Sequence, residues 1–217
     1  MRMPRFALFA LLFSFVAAAC GDATGDDDDP RGSLSFTYRG PINGSYSADG
    51  ELTFLPGAFF APEGAAGAFR QDSALVIAAA RQGAAAGSLD VFTLALGDVE
   101  RSGTYAFNPA ACQEQRPATC RIGAFAPGLD LMELSGNPDL PTVAERAYIL
   151  VLGSVRVTAI SARRVRGEFS GSAVLASDPL HPISIDNGRF DVPIDDGLEA
   201  GGRFGPRGIR AGTPLSE

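Results

Sequence analysis

The chain has 217 residues, of which 46% are hydrophobic, 20% charged and 9% aromatic, with 26 Gly and 15 Pro. That length suits one domain plus appendages, the apolar content is enough for a core, and so much Gly and Pro excludes a fold built on long helices. The formal charge is −7 and every basic residue is Arg, so most of the surface should repel a phosphate backbone, and nucleic acid is not expected as a partner.

The first segment in chain order is a three-part leader. Arg2 and Arg5 form a positive region, Phe6 to Val16 is apolar, and Ala17, Ala18 and Ala19 are small residues that a signal peptidase can hold in extended form. The apolar run is about half of the roughly 20 residues a membrane-spanning helix needs. Residues 1–19 are therefore expected to be a cleaved signal peptide. Ala17-Ala18-Ala19-Cys20 resembles the lipobox of bacterial lipoproteins, although Ala17 stands where that family usually has Leu and an ordinary signal peptidase would cut at the same bond. The resemblance implies that Cys20 receives a diacylglyceryl group and becomes the first residue of the mature chain.

Cysteine usage agrees with that expectation. Cys112 and Cys120 bound the polar loop CQEQRPATC, which suits a structural disulfide formed in an oxidising compartment and leaves Cys20 as the odd thiol. A tetrahedral metal site on the pair would need further ligands, and His181 is the sole histidine of the chain. Next comes GDATGDDDDPRG, Gly21 to Gly32, so that residues 20–32 read as a lipidated Cys followed by a solvated, self-repelling acidic tether. Ca²⁺ on Asp26 to Asp29 would have to order a flexible run and would bind weakly. Gly21 after Cys20 lacks the Asp that retains such lipoproteins at the inner membrane, and acidic runs near the lipidated Cys resemble surface-export signals. The resemblance thus implies the outer membrane.

From Ser33 the sequence alternates. Leu34, Phe36 and Tyr38 share one face and Ser33, Ser35, Thr37 and Arg39 the other, the period of two of a half-buried strand. Further strands are predicted at Ile42 to Ala48, Glu51 to Phe54, Ala74 to Arg81, Leu89 to Leu96, Gly103 to Phe107 and Arg121 to Phe125, with spacings that suit antiparallel meanders. Thr142 to Arg146 reads as a helical turn. Tyr148 to Ile160 is a longer β-rich run interrupted at Gly153. In VRGEFSGSAVL, Val165, Gly167, Phe169, Gly171, Ala173 and Leu175 share a face opposite Arg166, Glu168, Ser170 and Ser172. Ile183 to Ile185 and Phe190 to Ile194 flank Asn187-Gly188, which permits positive φ and marks either a hairpin or a bulge in one strand, the bulge being favoured because the arms are short. Residues 195–217 are rich in Gly and read as a flexible tail.

The order GSVRVTAIS, VRGEFSGSA, ISIDNGRFDVPI is similar to the C-terminal half of uncharacterised bacterial lipoprotein domains. Gly167, Phe169, Ile183, Ile185, Asn187, Gly188, Phe190 and Asp191 carry the resemblance, and SGTYAF at Ser102 to Phe107 matches less specifically. It implies an all-β sandwich or barrel with no assigned activity, and the acidic tether and the Cys112 to Cys120 loop depart from it. The expected architecture is all-β, an antiparallel β-sandwich or calycin-like barrel, as a single domain over residues 33–194.

Catalytic signals are weak. His181 precedes Pro182 at the mouth of a strand, and there is no Gly-x-Ser-x-Gly elbow. The carboxylate pairs Asp195 with Asp196 and Asp130 with Glu133 read as loop acids unless a cleft separates them. No Gly-rich loop leads from a strand into a helix to seat a nucleotide. Asn43-Gly44-Ser45 matches a glycosylation sequon, which has little weight in a bacterial protein. The expectation is a non-enzymatic envelope lipoprotein without metal or cofactor. It would be tethered to the membrane by its lipid and would bind an envelope protein or glycan through loops or an exposed sheet face. The alternatives are a small apolar ligand carrier, with Phe54, Phe59, Phe60, Phe69 and Phe92 lining a void, and a hydrolase that brings His181 to a Ser and a carboxylate.

Overall fold

The computed structural model describes residues 29–52, 64–71, 74–114, 116–130, 146–175 and 177–195. The signal peptide, Cys20, most of the acidic tether and the tail beyond Asp195 lie outside the described residues, as do 142–145 of the predicted helical turn. The strands in chain order are β1 (Gly32–Arg39), β2 (Gly44–Gly50), β3 (Ala65–Gln71), β4 (Ala74–Gln82), β5 (Ser88–Ala95), β6 (Gly103–Ala106), β7 (Ile122–Asp130), β8 (Tyr148–Ile160), β9 (Arg164–Leu175) and β10 (Asp178–Asp195). Among the described residues one short helix, α1 (Pro109–Gln113), and a 3-10 turn at Pro117–Thr119 interrupt them.

Seven strands, in the spatial order β10-β3-β4-β5-β7-β8-β9, close into a barrel. The β1–β2 hairpin is added along β10, and β6 along β8. The all-β expectation is met, and of sandwich and barrel the structure is a barrel. One ladder corrects the antiparallel expectation: β10 meets β3 in parallel, Ile194 opposite Ala68 and Asp195 opposite Phe69. A parallel pair needs a long connection. Here all the chain between β3 and β10 supplies it.

Period-two alternation in the sequence becomes inside and outside in the barrel. Leu34 and Phe36 of β1, Leu75, Ile77 and Ala79 of β4, and Val165, Phe169 and Ala173 of β9 are buried. Their neighbours Ser33, Ser35, Arg166, Glu168 and Ser170 stay half-buried or exposed. The interior is filled by rings. Phe36 stacks on Tyr46 with centroids 4.9 Å apart and touches Phe92, Phe125 and Phe169 at 5.0, 5.2 and 5.8 Å. Phe92 and Phe169 stack at 5.0 Å. Such offset and edge contacts add to the apolar burial of each ring.

Two of the irregularities in the long strands lie at residues of positive φ. Asn187 has φ 55°, and β10 carries one extra residue between Ile185 and Gly188 against β9. Asn187-Gly188 is thus the bulge in one continuous strand, not a hairpin. Gly153 has φ 114°, and the β8–β9 register shifts beside it, between Leu150 and Leu152. A Cβ there would lie 2.2 Å from the Ser170 carbonyl oxygen, so only Gly fits the close approach of β8 to β9.

Other boundaries move. β2 begins at Gly44, not Ile42, because Gly40 to Asn43 form a turn in which Asn43 Oδ1 accepts the Gly40 N–H at 3.1 Å. Of the strand predicted at Glu51 to Phe54, Glu51 makes a single bridge to Ala66, and 53–54 lie outside the described residues. β3 was not predicted: in AAGAFRQ the buried Ala66, Gly67, Ala68 and Phe69 are consecutive, so no alternation announces it. Cys112 and Cys120 form a disulfide. Between them the expected polar loop holds part of α1, which Asn108 caps by accepting the Ala111 N–H at 3.3 Å, with Pro109 in its first turn. The sulfurs sit in a small apolar cluster with Ala95, Ile122, Val76 and Ile149.

Candidate functional site

The outward face of β2, β1, β10, β9, β8 and β6 is one continuous and largely polar surface, with Leu152 an exposed apolar exception. Strand register builds it row by row. Ser47 of β2 lies opposite Ser35, Ser35 opposite Arg189, Arg189 opposite Glu168, Glu168 opposite Arg156, and Arg156 opposite Thr104 of β6. The next row runs Asp49, Ser33, Asp191, Arg166 and Ala159. A third row, towards the opposite ends of the strands, places Arg39, Ser184, Ser172 and Leu152 side by side. A shallow open depression of about 500 Å³ lies on this surface, lined among others by Ser33, Ser35, Arg166, Glu168, Arg189 and Asp191.

The charges on the face are of two kinds. Asp191 is saturated: Arg164 Nε donates to its Oδ1, and Arg166 Nε donates to its Oδ2 at 2.9 Å. The same Arg164 guanidinium donates to the carbonyl oxygens of Asp29 and Arg31 at 3.0 and 3.1 Å, which pins the start of the domain to the barrel wall. Among the described residues, by contrast, none of Arg156, Glu168 and Arg189 is engaged in an ion pair, and all three are exposed. Glu168 sits between the two arginines at one inter-strand spacing from each, about 4.8 Å along the sheet. The central row therefore offers donors, hydroxyls and one acceptor to solvent.

A second polar cluster is structural. Asp90, 7% exposed, accepts from Arg81 at 2.9 Å through Oδ2 and from the Gly128 N–H at 2.9 Å through Oδ1. The Arg81 guanidinium also lies 4.8 Å from the centre of the Tyr46 ring. Burial pushes the Tyr46 phenol above its ordinary range, with Arg81 opposing and Asp90 reinforcing the shift. Both Asp90 carboxylate oxygens are used within the fold, which leaves this cluster no vacancy for a ligand.

The sequence-predicted residues are dispersed. Cys20, Phe54, Phe59, Phe60, Glu133 and Asp196 lie outside the described residues. Phe69 is buried on β3, and Phe92 belongs to the packed ring cluster. Asp130 ends β7 and Asp195 ends β10. His181 is exposed on β10 with its Nδ1 2.7 Å from Asp178 Oδ2, and no Ser hydroxyl is bonded to it among the described residues. Among those residues no group of three or more His, Cys, Asp or Glu is placed to hold a metal ion. Arg156, Arg189 and Asp191 were not singled out from the sequence as surface residues. The signal was present in the wet positions of each strand, but only strand order shows that these positions form one surface. Comparisons of the chain with protein-family models, with curated proteins and with solved structures find no match.

Proposed function

We propose that this chain is an exported lipoprotein, anchored in the outer membrane through Cys20, that acts without catalysis as a binding module of the cell envelope. Its contact surface is the outward face of β2-β1-β10-β9-β8-β6. One observation carries the reading: six adjacent strands present consecutive outward Ser, Thr, Arg and Glu side chains with unpaired charges at the centre, over an interior packed with aromatic rings. A polar outer face six strands wide suits an extended polar partner, whereas carrying an apolar ligand would require the ring-filled interior to open. The outward charges also oppose insertion of the barrel itself, since a membrane barrel turns an apolar band outward.

The test has two readouts on the same full-length protein expressed in a bacterium. Intact mass of membrane-isolated wild type is expected to equal a chain starting at Cys20 plus a diacylglyceryl group, with the lipid absent from Cys20→Ser. Ser35→Cys, labelled in cells with a thiol-directed photocrosslinker, is expected to give envelope adducts that Gln82→Cys, at the exposed end of β4, does not. An unlipidated soluble wild type would sink the anchor. Equal or absent crosslinking at both positions would sink the face.

A further inference from the structure

We propose that the central row of this face, Ser47-Ser35-Arg189-Glu168-Arg156-Thr104, binds an acidic polysaccharide, a sugar polymer bearing carboxylates, laid across the strands. The proposal rests on the reading of this face as the contact surface and adds the chemistry of what it contacts. The row crosses five inter-strand spacings, about 24 Å, so it matches a linear chain and not a single small molecule. At its centre Arg189 and Arg156 stand about 10 Å apart on either side of Glu168.

Charge decides the sign of the ligand. Around the depression four guanidinium groups, Arg156, Arg164, Arg166 and Arg189, face two carboxylates, Glu168 and Asp191. Further acids, Asp49 and Asp186, lie towards the margins. With these counted, four arginines meet four acids, and the cationic excess is confined to the row itself, where Arg156 and Arg189 flank Glu168 and favour an anion. Arg164 and Arg166 are already committed to Asp191, so Arg156 and Arg189 are the groups free to take a carboxylate in bidentate fashion.

Glu168 decides the class of anion. A polyphosphate chain or a DNA backbone presents only acceptors where Glu168 needs a donor, and sets like charges beside it. A sugar polymer presents hydroxyls that donate to Glu168 and exchange hydrogen bonds with Ser35, Ser47 and Thr104, while its carboxylates accept from the arginines. Such a ligand satisfies donors and acceptors of the row together.

The experiment uses the full lipidated chain in detergent micelles, with polygalacturonate as the acidic polysaccharide, dextran as the neutral polymer and long-chain inorganic polyphosphate as the alternative polyanion. Polygalacturonate is expected to bind, more weakly as salt rises. Arg156→Gln and Arg189→Gln should each weaken it about tenfold, while Arg116→Gln, exposed on the disulfide loop away from this face, should leave it unchanged. Glu168→Gln should strengthen polyphosphate binding relative to polygalacturonate. All four positions are exposed, and an unchanged thermal midpoint verifies that each variant is folded. Absent polygalacturonate binding, equal binding of dextran, indifference to both arginine variants, or preference for polyphosphate by the wild type would each overturn the proposal. Crosslinking at position 35 in cells without polygalacturonate binding would reject the acidic polysaccharide and keep the face. Loss of both would reject both.

Discussion

Phe36 and Gly167 show how one residue can hold this barrel closed. Phe36 touches four other buried rings, so Phe36→Ala removes the hub of the interior and is expected to cost about 3–5 kcal/mol. Gly167 acts by absence. A Cβ there would lie 2.4 Å from Phe190 Cζ and 2.5 Å from the Arg156 carbonyl oxygen, so Gly167→Ala forces ring or backbone to shift and should cost about 1–3 kcal/mol. Urea midpoints of the two variants measure both effects, and a Gly167→Ala midpoint equal to wild type would mean that the strands there have slack. Tyr46 gives the fold an alkaline limit. Its folded pKa lies above the ordinary 10.0, so the native chain keeps a proton that the unfolded chain loses. The associated stability is complete below pH 10 and falls as pH rises beyond it, by about 1.4 kcal/mol per pH unit. Tyr46→Phe should flatten this part of the profile, measured by denaturation midpoints at about pH 9.5 and 11.

At the scale of elements, the disulfide and the bulge do separable jobs. The Cys112–Cys120 bridge spans 8 positions and clasps α1 and the 3-10 turn against the outside of the sheet. Closing so short a loop should contribute about 2–3 kcal/mol. Cys112→Ser with Cys120→Ser is expected to lower the thermal midpoint while leaving the far-ultraviolet β signature intact. Loss of that signature would show that the clasp is needed for closure. Sequence legibility follows the same elements. β1, β8 and β9 were readable because each has one wet and one dry face, and Asn187-Gly188 was readable because few other dipeptides accept positive φ. β3 was not, since consecutive buried small residues carry no period. α1 was hidden because five residues, the disulfide-bonded Cys112 among them, are too few to show helical periodicity. The polar outer face was half legible: Arg166 and Glu168 were recognisably wet, but their alignment with Arg189 and Arg156 depends on strand order, which no local pattern encodes.

For the whole molecule, closure makes the strands interdependent. β10 pairs with β1, β3 and β9, so a single last strand completes both the barrel and the outer face. Truncation before Ile183 should therefore abolish folding outright and not merely trim an edge, which hydrogen exchange across β4 and β5 would report as global loss of protection. Arg164 is a further point of leverage. It ties the carbonyls of Asp29 and Arg31 to the same Asp191 that neighbours the depression. Nine residue-to-residue steps separate Asp29 from Cys20, a leash of at most about 32 Å when taut. On a lipid-anchored chain that fixed point of departure would act as a swivel. The end of the barrel holding Arg164 could never stand farther from the bilayer than the leash allows, while the end with Gly40 and Leu180 would be free to sweep outward, turning the polar face sideways along the membrane surface.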